Sequence, residues 1–404
     1  MLATDGNFYG TTMHGGVNAQ YCGSQGLGCG TVFRITPEGE FKSLHAFAET
    51  DGAFPQAGLV QASDGDLYGV TQEGGKGYGT AFKIGLGGEF TLLHEFCSVD
   101  NGNGCVDGAG PQGALMQASD GLLYGTTVIG GVNCGTGGNC GTFYSMTLTG
   151  TVTTLYNFCA LQNCEDGDMP AGAVVQGRDG NFYGTTPQGG THCVNGTAGG
   201  CGTVFKITPT GTLTTVYDFC VLKGCADGDG PDGTLILASD GNFYGAFVGG
   251  AANEFDCTPD YPEPCGSLFR LTPKGKDTIL YRFNGSDGAF PFSGLYQATD
   301  GMLYGTTMGG GSDLKGTVFT VSANLPAFVA TVPTVGKTRV TVSILGNGLT
   351  DTSSVSFNGA AAAFTVISDT EISTTVPSSA TTGKIEVTTP SGTLKSKVAF
   401  QVKQ

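Results

Sequence analysis

Cysteine is the residue type in this 404-residue sequence whose number and spacing point most directly to chemistry. The 14 cysteines fall into seven local pairs, with partners five to eight positions apart. A zinc knuckle would need Cys-x2-Cys spacing or histidine ligands, and the four histidines form no ligand pair. We therefore predict disulfides, each stabilising its loop by about 2 to 3 kcal/mol in the chain-entropy description. The pairs are Cys22/Cys29, Cys97/Cys105, Cys134/Cys140, Cys159/Cys164, Cys193/Cys201, Cys220/Cys225 and Cys257/Cys265.

Such a set of disulfides indicates an oxidising compartment, so we expect an extracellular or cell-surface protein. No signal peptide precedes Met1-Leu2, and we expect the sequence to be processed or truncated. No run of 18 apolar residues occurs, so no membrane span is predicted.

Acidic residues offer the next candidates for a site. Asp166-Gly-Asp168 and Asp227-Gly-Asp229 resemble the start of a calcium loop, but no closing glutamate follows. We expect these aspartates to cap turns, and we predict neither a metal site nor a cofactor.

Catalytic motifs are missing from the sequence. Neither G-x-S-x-G, H-E-x-x-H nor a P-loop occurs, and the glutamates outside repeated positions have no partner at a recognisable spacing. We predict a non-catalytic protein without catalytic residues. Those glutamates are Glu73, Glu95, Glu165 and Glu254.

The elements that would position all these residues belong to one repeat. The motif DGNFYGTT at Asp179 recurs unchanged at Asp5 and in variants at Asp64, Asp120, Asp240 and Asp300, at intervals of 56 to 61 residues. Each unit contains four apolar, β-rich runs separated by turn residues, and Asp-Gly between the first two runs favours a tight hairpin. Four-stranded units of this length stack radially, so we predict a closed six-bladed β-propeller of antiparallel blades over residues 1–325. Each motif contains a Tyr-Gly pair, and we expect its tyrosine to be largely buried at an equivalent position in every blade. A linear β-solenoid is the alternative.

The composition changes near Pro326, where cysteines and the Tyr-Gly motif end. Alternating runs over residues 326–404 predict six or seven strands, which are typical of a small immunoglobulin-like β-sandwich. The fold class is thus all-β with two domains.

The net charge of −16 argues against nucleic acid as a partner. Residues 1–325 hold 12 basic and 30 acidic side chains, whereas residues 326–404 hold six and four. Such an uneven distribution allows weak attraction between copies.

Two resemblances follow from these motifs. The units, with DGNFYGTT, GTVFKITP-x-G and TLTTVYDF, resemble the GloVer tandem repeat of bacterial choice-of-anchor surface proteins. The second domain is similar to IPT/TIG domains, through VSFNG at Val355, SDTEI at Ser368 and VTTPSG at Val387. Both resemblances imply export, a surface setting and contact with proteins or glycans, and neither supplies a catalytic motif.

One segment bears on function because two sheets compete for it. Unit six lacks its own fourth run, and PAFVATV (326–332) could either complete blade six or open the sandwich. We expect it to join the sandwich, which leaves the third strand of blade six with an open edge. An interface with other copies would then form at one end of the chain. Its candidate residues are Thr317, Val318, Phe319, Pro326, Phe328 and Val329.

We therefore predict a secreted structural protein that assembles head to tail with copies of itself into a filament or matrix. Two alternatives stay open at this point: an adhesion module that binds a surface glycan or protein, and a polysaccharide-active propeller enzyme.

Overall fold

The structure, a computed structural model, describes residues 1–16, 22, 26–100, 104–133, 140–192, 201–249 and 265–403. It is all-β apart from two short 3-10 turns, Gln162–Cys164 and Lys223–Cys225. Nearly all strands are antiparallel, as the hairpin signals predicted.

Each repeat folds into one sheet whose strands follow chain order. In blade one the first strand is reduced to a bridge between Leu2 and Phe8. The remaining strands are β1 (Phe8–Thr12), β2 (Thr31–Ile35) and β3 (Phe41–Ala46).

Blades two to five are complete four-stranded sheets. Their first strands have only two residues and their other strands five or six. Blade two contains β4 (Val60–Gln61), β5 (Leu67–Thr71), β6 (Thr80–Ile84) and β7 (Phe90–Glu95); blade three β8 (Met116–Gln117), β9 (Leu123–Thr127), β10 (Thr142–Met146) and β11 (Val152–Asn157). Blade four contains β12 (Val175–Gln176), β13 (Phe182–Thr186), β14 (Thr203–Ile207) and β15 (Leu213–Asp218); blade five β16 (Ile236–Leu237), β17 (Phe243–Phe247), β18 (Ser267–Leu271) and β19 (Asp277–Arg282).

Blade six has three strands: β20 (Tyr296–Gln297), β21 (Leu303–Thr306) and β22 (Val318–Val321). The remaining strands belong to the C-terminal sandwich. They are β23 (Ala330–Val332), β24 (Val335–Lys337), β25 (Thr341–Leu345), β26 (Ser354–Phe357), β27 (Ala360–Ala361), β28 (Phe364–Ser368), β29 (Glu371–Thr375), β30 (Ile385–Thr389), β31 (Gly392–Lys395) and β32 (Gln401–Lys403).

The propeller core consists of layers between consecutive blades. Because side chains alternate along a strand, each blade has one face toward the preceding blade and one toward the following blade. In blade two, Leu67, Phe82 and Ile84 pack against blade one, whereas Tyr68, Val70 and Ala81 pack against blade three. Equivalent apolar layers join blades three to four, four to five and five to six. The six blades therefore stack in sequence order.

A glutamine at the end of the first strand ties neighbouring blades together. The Gln117 side chain accepts a hydrogen bond from the Ser63 backbone N–H at 2.8 Å and donates to Ser63 Oγ at 3.1 Å. Gln61 and Gln297 make the same paired contacts to the preceding blade, and the Gln176 side chain accepts from Ser119 N–H. Blade five has Leu237 at this position, and Arg178 of blade four instead donates to the Ser239 carbonyl at 2.8 Å.

The sandwich packs two four-stranded sheets, ordered β23-β25-β29-β28 and β27-β26-β30-β31, around one apolar core. Strands β24 and β32 form a separate parallel pair. The alternating sequence pattern predicted a sandwich of six or seven strands. The described residues form ten, because strands of two or three residues such as β24 and β27 are too short to show an alternating pattern.

The sandwich rests on the Asp-Gly turns of blades five and six. Ser239 Oγ donates to the Pro326 carbonyl at 3.1 Å, and Asn347 Nδ2 donates to Thr299 Oγ1 at 2.9 Å. Thr299 occupies the position at which Ser63 meets a glutamine from the next blade. A sandwich residue therefore replaces the next blade at this turn.

Candidate assembly surface

The segment 326–332 joins the sandwich. Strand β23 pairs antiparallel with β25, with Ala330 opposite Leu345. Val329 is fully buried in the sandwich core, and the Phe328 N–H donates to the Thr299 carbonyl at 3.2 Å. These contacts leave nothing of this segment to complete blade six.

Strand β22 consequently pairs with β21 alone among the described residues. The Thr307 N–H donates to the Thr317 carbonyl, which makes these two residues a hydrogen-bonded pair. Hydrogen-bonded and non-hydrogen-bonded pairs alternate along an antiparallel ladder, so the N–H and C=O groups of Val318 and Thr320 point away from β21. They form an open sheet edge, and both residues are exposed.

The side chains on one face of blade six are also uncovered. We call the face that a following blade would cover the trailing face, and it contains Tyr304, Thr306, Val318 and Thr320. Val318 is 80% exposed, whereas the residues at its position in the other five blades are fully buried. Those five residues are Val32, Ala81, Phe143, Val204 and Leu268.

Blade one has the complementary uncovered face. We call the side that a preceding blade would cover the leading face, and it contains Phe8, Phe33, Ile35 and Phe41. Phe8 is 45% exposed, but the residues at its position in blades two to six are all at most 1% exposed.

The glycine in the turn between the third and fourth strands is also covered by a preceding blade everywhere except in blade one. Gly88, Gly150, Gly211 and Gly275 each lie against the fourth strand of the preceding blade. Nothing lies within 4 Å of the equivalent side-chain position on Gly39 in blade one.

These observations correct one expectation about the ring. The repeat predicts that all six tyrosines of the Tyr-Gly motif are equally buried, as in a ring closed at every blade. Five of them are at most 2% exposed, but Tyr304 is 38% exposed. The six blades stack through five interfaces, and the seam between blade six and blade one is open in the structure.

The structure separates the six candidate interface residues into two groups. Phe328 and Val329 are buried by the sandwich, whereas Pro326 is exposed and its carbonyl accepts a hydrogen bond from Ser239 Oγ. Of the strand group, Thr317 bonds to Thr307, and the Phe319 ring packs against Phe283 of blade five at 5.0 Å. Val318 is thus the one candidate whose side chain faces the seam.

The cysteines form local disulfides wherever both partners are described. The structure joins Cys22–Cys29, Cys97–Cys105, Cys159–Cys164 and Cys220–Cys225, with Cα–Cα distances of 4.0 to 5.0 Å. Cys140 and Cys265 are also in disulfides, and Cys201 is buried. The expected partners Cys134, Cys193 and Cys257 lie outside the described residues.

The first aspartate of each connector caps a turn. Asp166 accepts hydrogen bonds from the Ala160 and Leu161 backbone N–H groups at 2.9 and 3.0 Å and from the Tyr156 hydroxyl at 2.7 Å. Asp227 makes the equivalent three contacts. Cys140, Cys159 and Asp168 offer ligand atoms within 4.8 Å of one another, but both sulfurs are in disulfides and cannot act as thiolate ligands.

Sequence reasoning did not identify that two histidines pair with the connector aspartates. His45 contacts Asp51 at 3.0 Å and His94 contacts Asp107 at 3.1 Å, where other blades have a Tyr–Asp pair. Burial alone would raise the pKa of Asp107, but hydrogen bonds from His94 and Ser98 outweigh it and lower that pKa to about 2. Aligning the fourth strands would have revealed the shared position, because each His or Tyr stands two residues before a buried Phe. These two histidines therefore hold the aspartates of the connectors in place through hydrogen bonds.

One carboxyl group stands out electrostatically. Burial between blades four and five, together with the nearby charge of Asp227, raises the pKa of Asp277 to about 7. Its Oδ1 has no hydrogen-bond partner among the described residues. Because Asp277 occupies the position of Phe41, Phe90 and Leu213, we interpret it as a polar substitution in an apolar layer.

Comparison with known families identifies both parts of the chain. The Gloeobacter/Verrucomicrobia repeat matches residues 1–195 and 134–363, and the IPT/TIG domain matches residues 326–402. Both families are typical of extracellular proteins. In the part of the chain that the structure describes, no helix has the length and apolar character needed to cross a membrane.

No curated protein matches the sequence. Solved structures with a similar fold include a gluconolactonase from Xanthomonas campestris, with 12% identity, coverage of 70% of this chain and 76% of the other, and a TM-score of 0.40. A PQQ-bound aldose sugar dehydrogenase from Streptomyces coelicolor has 13% identity, coverage of 80% and 93%, and a TM-score of 0.37. A protein from Lactobacillus plantarum has 13% identity, coverage of 92% and 97%, and a TM-score of 0.44.

The repeat family covers more than half of the sequence. This chain belongs to the Gloeobacter/Verrucomicrobia repeat family and carries an IPT/TIG domain at its C-terminal end.

Proposed function

We propose that this protein is a non-catalytic, extracellular structural subunit that assembles head to tail with copies of itself. The trailing face of blade six in one molecule packs against the leading face of blade one in the next. Neither a cofactor nor nucleic acid takes part in this function.

The observation that carries the proposal is the contrast between the seam and the five internal interfaces. At every internal interface a trailing face that contains the Tyr-Gly tyrosine covers a leading face that contains aromatic and aliphatic residues. Blade six and blade one have the same residue types at the same positions, but both faces are exposed. The two end faces should therefore fit each other, since the same pair of faces packs together at five interfaces within the chain.

The symmetry of the contact determines the form of the assembly. The trailing and leading faces are different surfaces, so their contact is heterologous and leaves one free face at each end. Unless the rotation between copies closes a ring, such contacts build a filament. Local disulfides suit a subunit that functions outside the cell.

Charged substitutions on each face test the proposal. Val318→Asp places a charge on the trailing face, and Phe8→Asp does so on the leading face. Ile367→Asp is the control, because Ile367 is 58% exposed on strand β28 of the sandwich and belongs to neither face. In sedimentation velocity, we expect the natural chain and the control to form larger species as concentration rises and each face variant to stay monomeric.

A mixing experiment tests the direction of the contact. Val318→Asp keeps an intact leading face and Phe8→Asp keeps an intact trailing face, so an equimolar mixture should form dimers that grow no further. A natural chain that stays monomeric at every concentration, or a mixture without dimers, would refute head-to-tail assembly.

A further inference from the structure

The open edge of β22 lies beside the place where every other blade has a fourth strand. In blades one to five that strand pairs with the third strand through one shared irregularity, a register shift between the second and third residues of the third strand. In blade six the corresponding positions are Val318 and Phe319, and the exposed backbone groups of Val318 and Thr320 have no strand beside them among the described residues. A row of such groups is a site for β-strand addition.

The five existing fourth strands show which sequence fits beside a third strand. Each has Leu or Val at its fourth position, His or Tyr at its fifth, and Phe immediately after its end. The aliphatic residue and the Phe face the neighbouring blade, and the Phe is at most 1% exposed in all five cases. The segment is therefore an extended strand anchored by a terminal Phe.

The Phe anchor connects two blades. After each fourth strand, its ring makes an edge-on contact with the third-strand aromatic residue of the following blade, with centroids 5.0 to 5.5 Å apart. The aromatic residue at that position in blade one is Phe33. Among the described residues, the one aromatic ring in contact with it is Phe41 of its own blade, at 5.4 Å in a tilted arrangement. The seam thus lacks both a fourth strand and its anchor.

We propose that the β22 edge is an acceptor site for a fourth-strand segment of this repeat type, donated by another chain. The donated strand forms a backbone ladder with Val318 and Thr320. Its terminal Phe packs against Phe33 of the blade one that lies across the seam, whether that blade belongs to the same molecule or to the next one in an assembly. The donated strand thereby contacts both blade six and the leading face of blade one, and it holds the two together. This inference shares the seam with the proposed assembly, but it can be tested without that assembly.

The probe is a fluorescein-labelled peptide with the sequence of residues 211–219, Gly-Thr-Leu-Thr-Thr-Val-Tyr-Asp-Phe. We expect saturable binding to the full chain with one peptide per molecule, measured by fluorescence anisotropy. Replacing the terminal Phe of the peptide by Ala should weaken binding at least tenfold, and a scrambled peptide should not bind. In the protein, Thr320→Pro removes an edge N–H without touching the bonds between β22 and β21, and it should abolish binding.

Circular dichroism melting of Thr320→Pro checks that this variant folds, and Val318→Pro gives a second test of the same edge. Ile367→Asp should bind the peptide as the natural chain does. Absence of peptide binding, or binding that survives both proline substitutions and scrambling, would overturn the acceptor site even if the protein still assembles in sedimentation. Conversely, peptide binding by a strictly monomeric protein would support the acceptor site while the head-to-tail proposal fails.

Discussion

The five internal blade interfaces and the seam between blade six and blade one have the same sequence pattern and opposite exposure. Leu268 of blade five and Val318 of blade six occupy equivalent positions, but Leu268 is fully buried and Val318 is the most exposed member of the set. The repeat determines the residue type at each position, whereas burial requires a neighbouring blade that packs against that position. Interface residues that recur within one chain are therefore left exposed where the series of blades ends.

The largest expected effect tests this contrast directly. Leu268→Ala should lower the free energy of unfolding by about 2 to 5 kcal/mol, because it opens a cavity in a filled layer. Val318→Ala should change it by less than about 0.5 kcal/mol in the monomer. Urea denaturation at a concentration where the chain is monomeric measures both, and equal losses would mean that the seam is closed in solution.

The disulfides after the fourth strands should come next in size. Replacing both Cys159 and Cys164 by Ser should cost about 2 to 3 kcal/mol, because the unfolded chain regains the entropy of an open loop. The measurement is the denaturation midpoint of the double variant. The natural chain in reducing agent serves as the comparison, and peptide mapping of non-reduced protein reports all seven predicted pairs, including those of Cys134, Cys193 and Cys257.

Asp277 allows a pH test of one internal interface. Its folded pKa of about 7 lies above the ordinary value of 3.8, so the folded state prefers the protonated acid. Stability from this group is present below about pH 4 and is lost as pH rises toward 7. Asp277→Asn should therefore match the natural chain at pH 4 and exceed it at pH 8 by roughly 1 to 2 kcal/mol, allowing for partial solvent screening. A variant that is less stable at pH 8 would contradict this interpretation.

The smallest expected effect concerns the glutamine contacts. Gln117→Leu removes hydrogen bonds to blade two and should lower the free energy of unfolding by about 1 kcal/mol. The loss should be no larger, because blade five has Leu237 at the same position. Asn347→Leu removes the equivalent contact between sandwich and blade six. Thermal melting of both variants would show whether the sandwich contact stabilises blade six as much as a neighbouring blade does, and two unchanged melting temperatures would argue against both contacts.

Much of the fold was predictable because its signals are local. The Asp-Gly turns determine hairpins, the alternation of apolar residues determines strands, and the period of 56 to 61 residues determines how many sheets there are. The short spacing within each cysteine pair likewise favours local disulfides. Even the membership of residues 330–332 in the sandwich could be anticipated, since the turn at Pro333 leads directly into the next sandwich strand.

The sequence by itself thus determined the blades, their order and the chemistry of every face. It could not determine which faces stay exposed, because Tyr304 and Phe8 stand in the same local motifs as their buried equivalents. Likewise, the sequence did not show that Thr299 is contacted by Asn347 where the equivalent residues of other blades are contacted by a glutamine, because Asn347 lies 48 positions away in the chain. Only the tertiary structure decided these points, since burial depends on what packs against a residue and a repeating sequence carries the same local signal whether or not a neighbour is present.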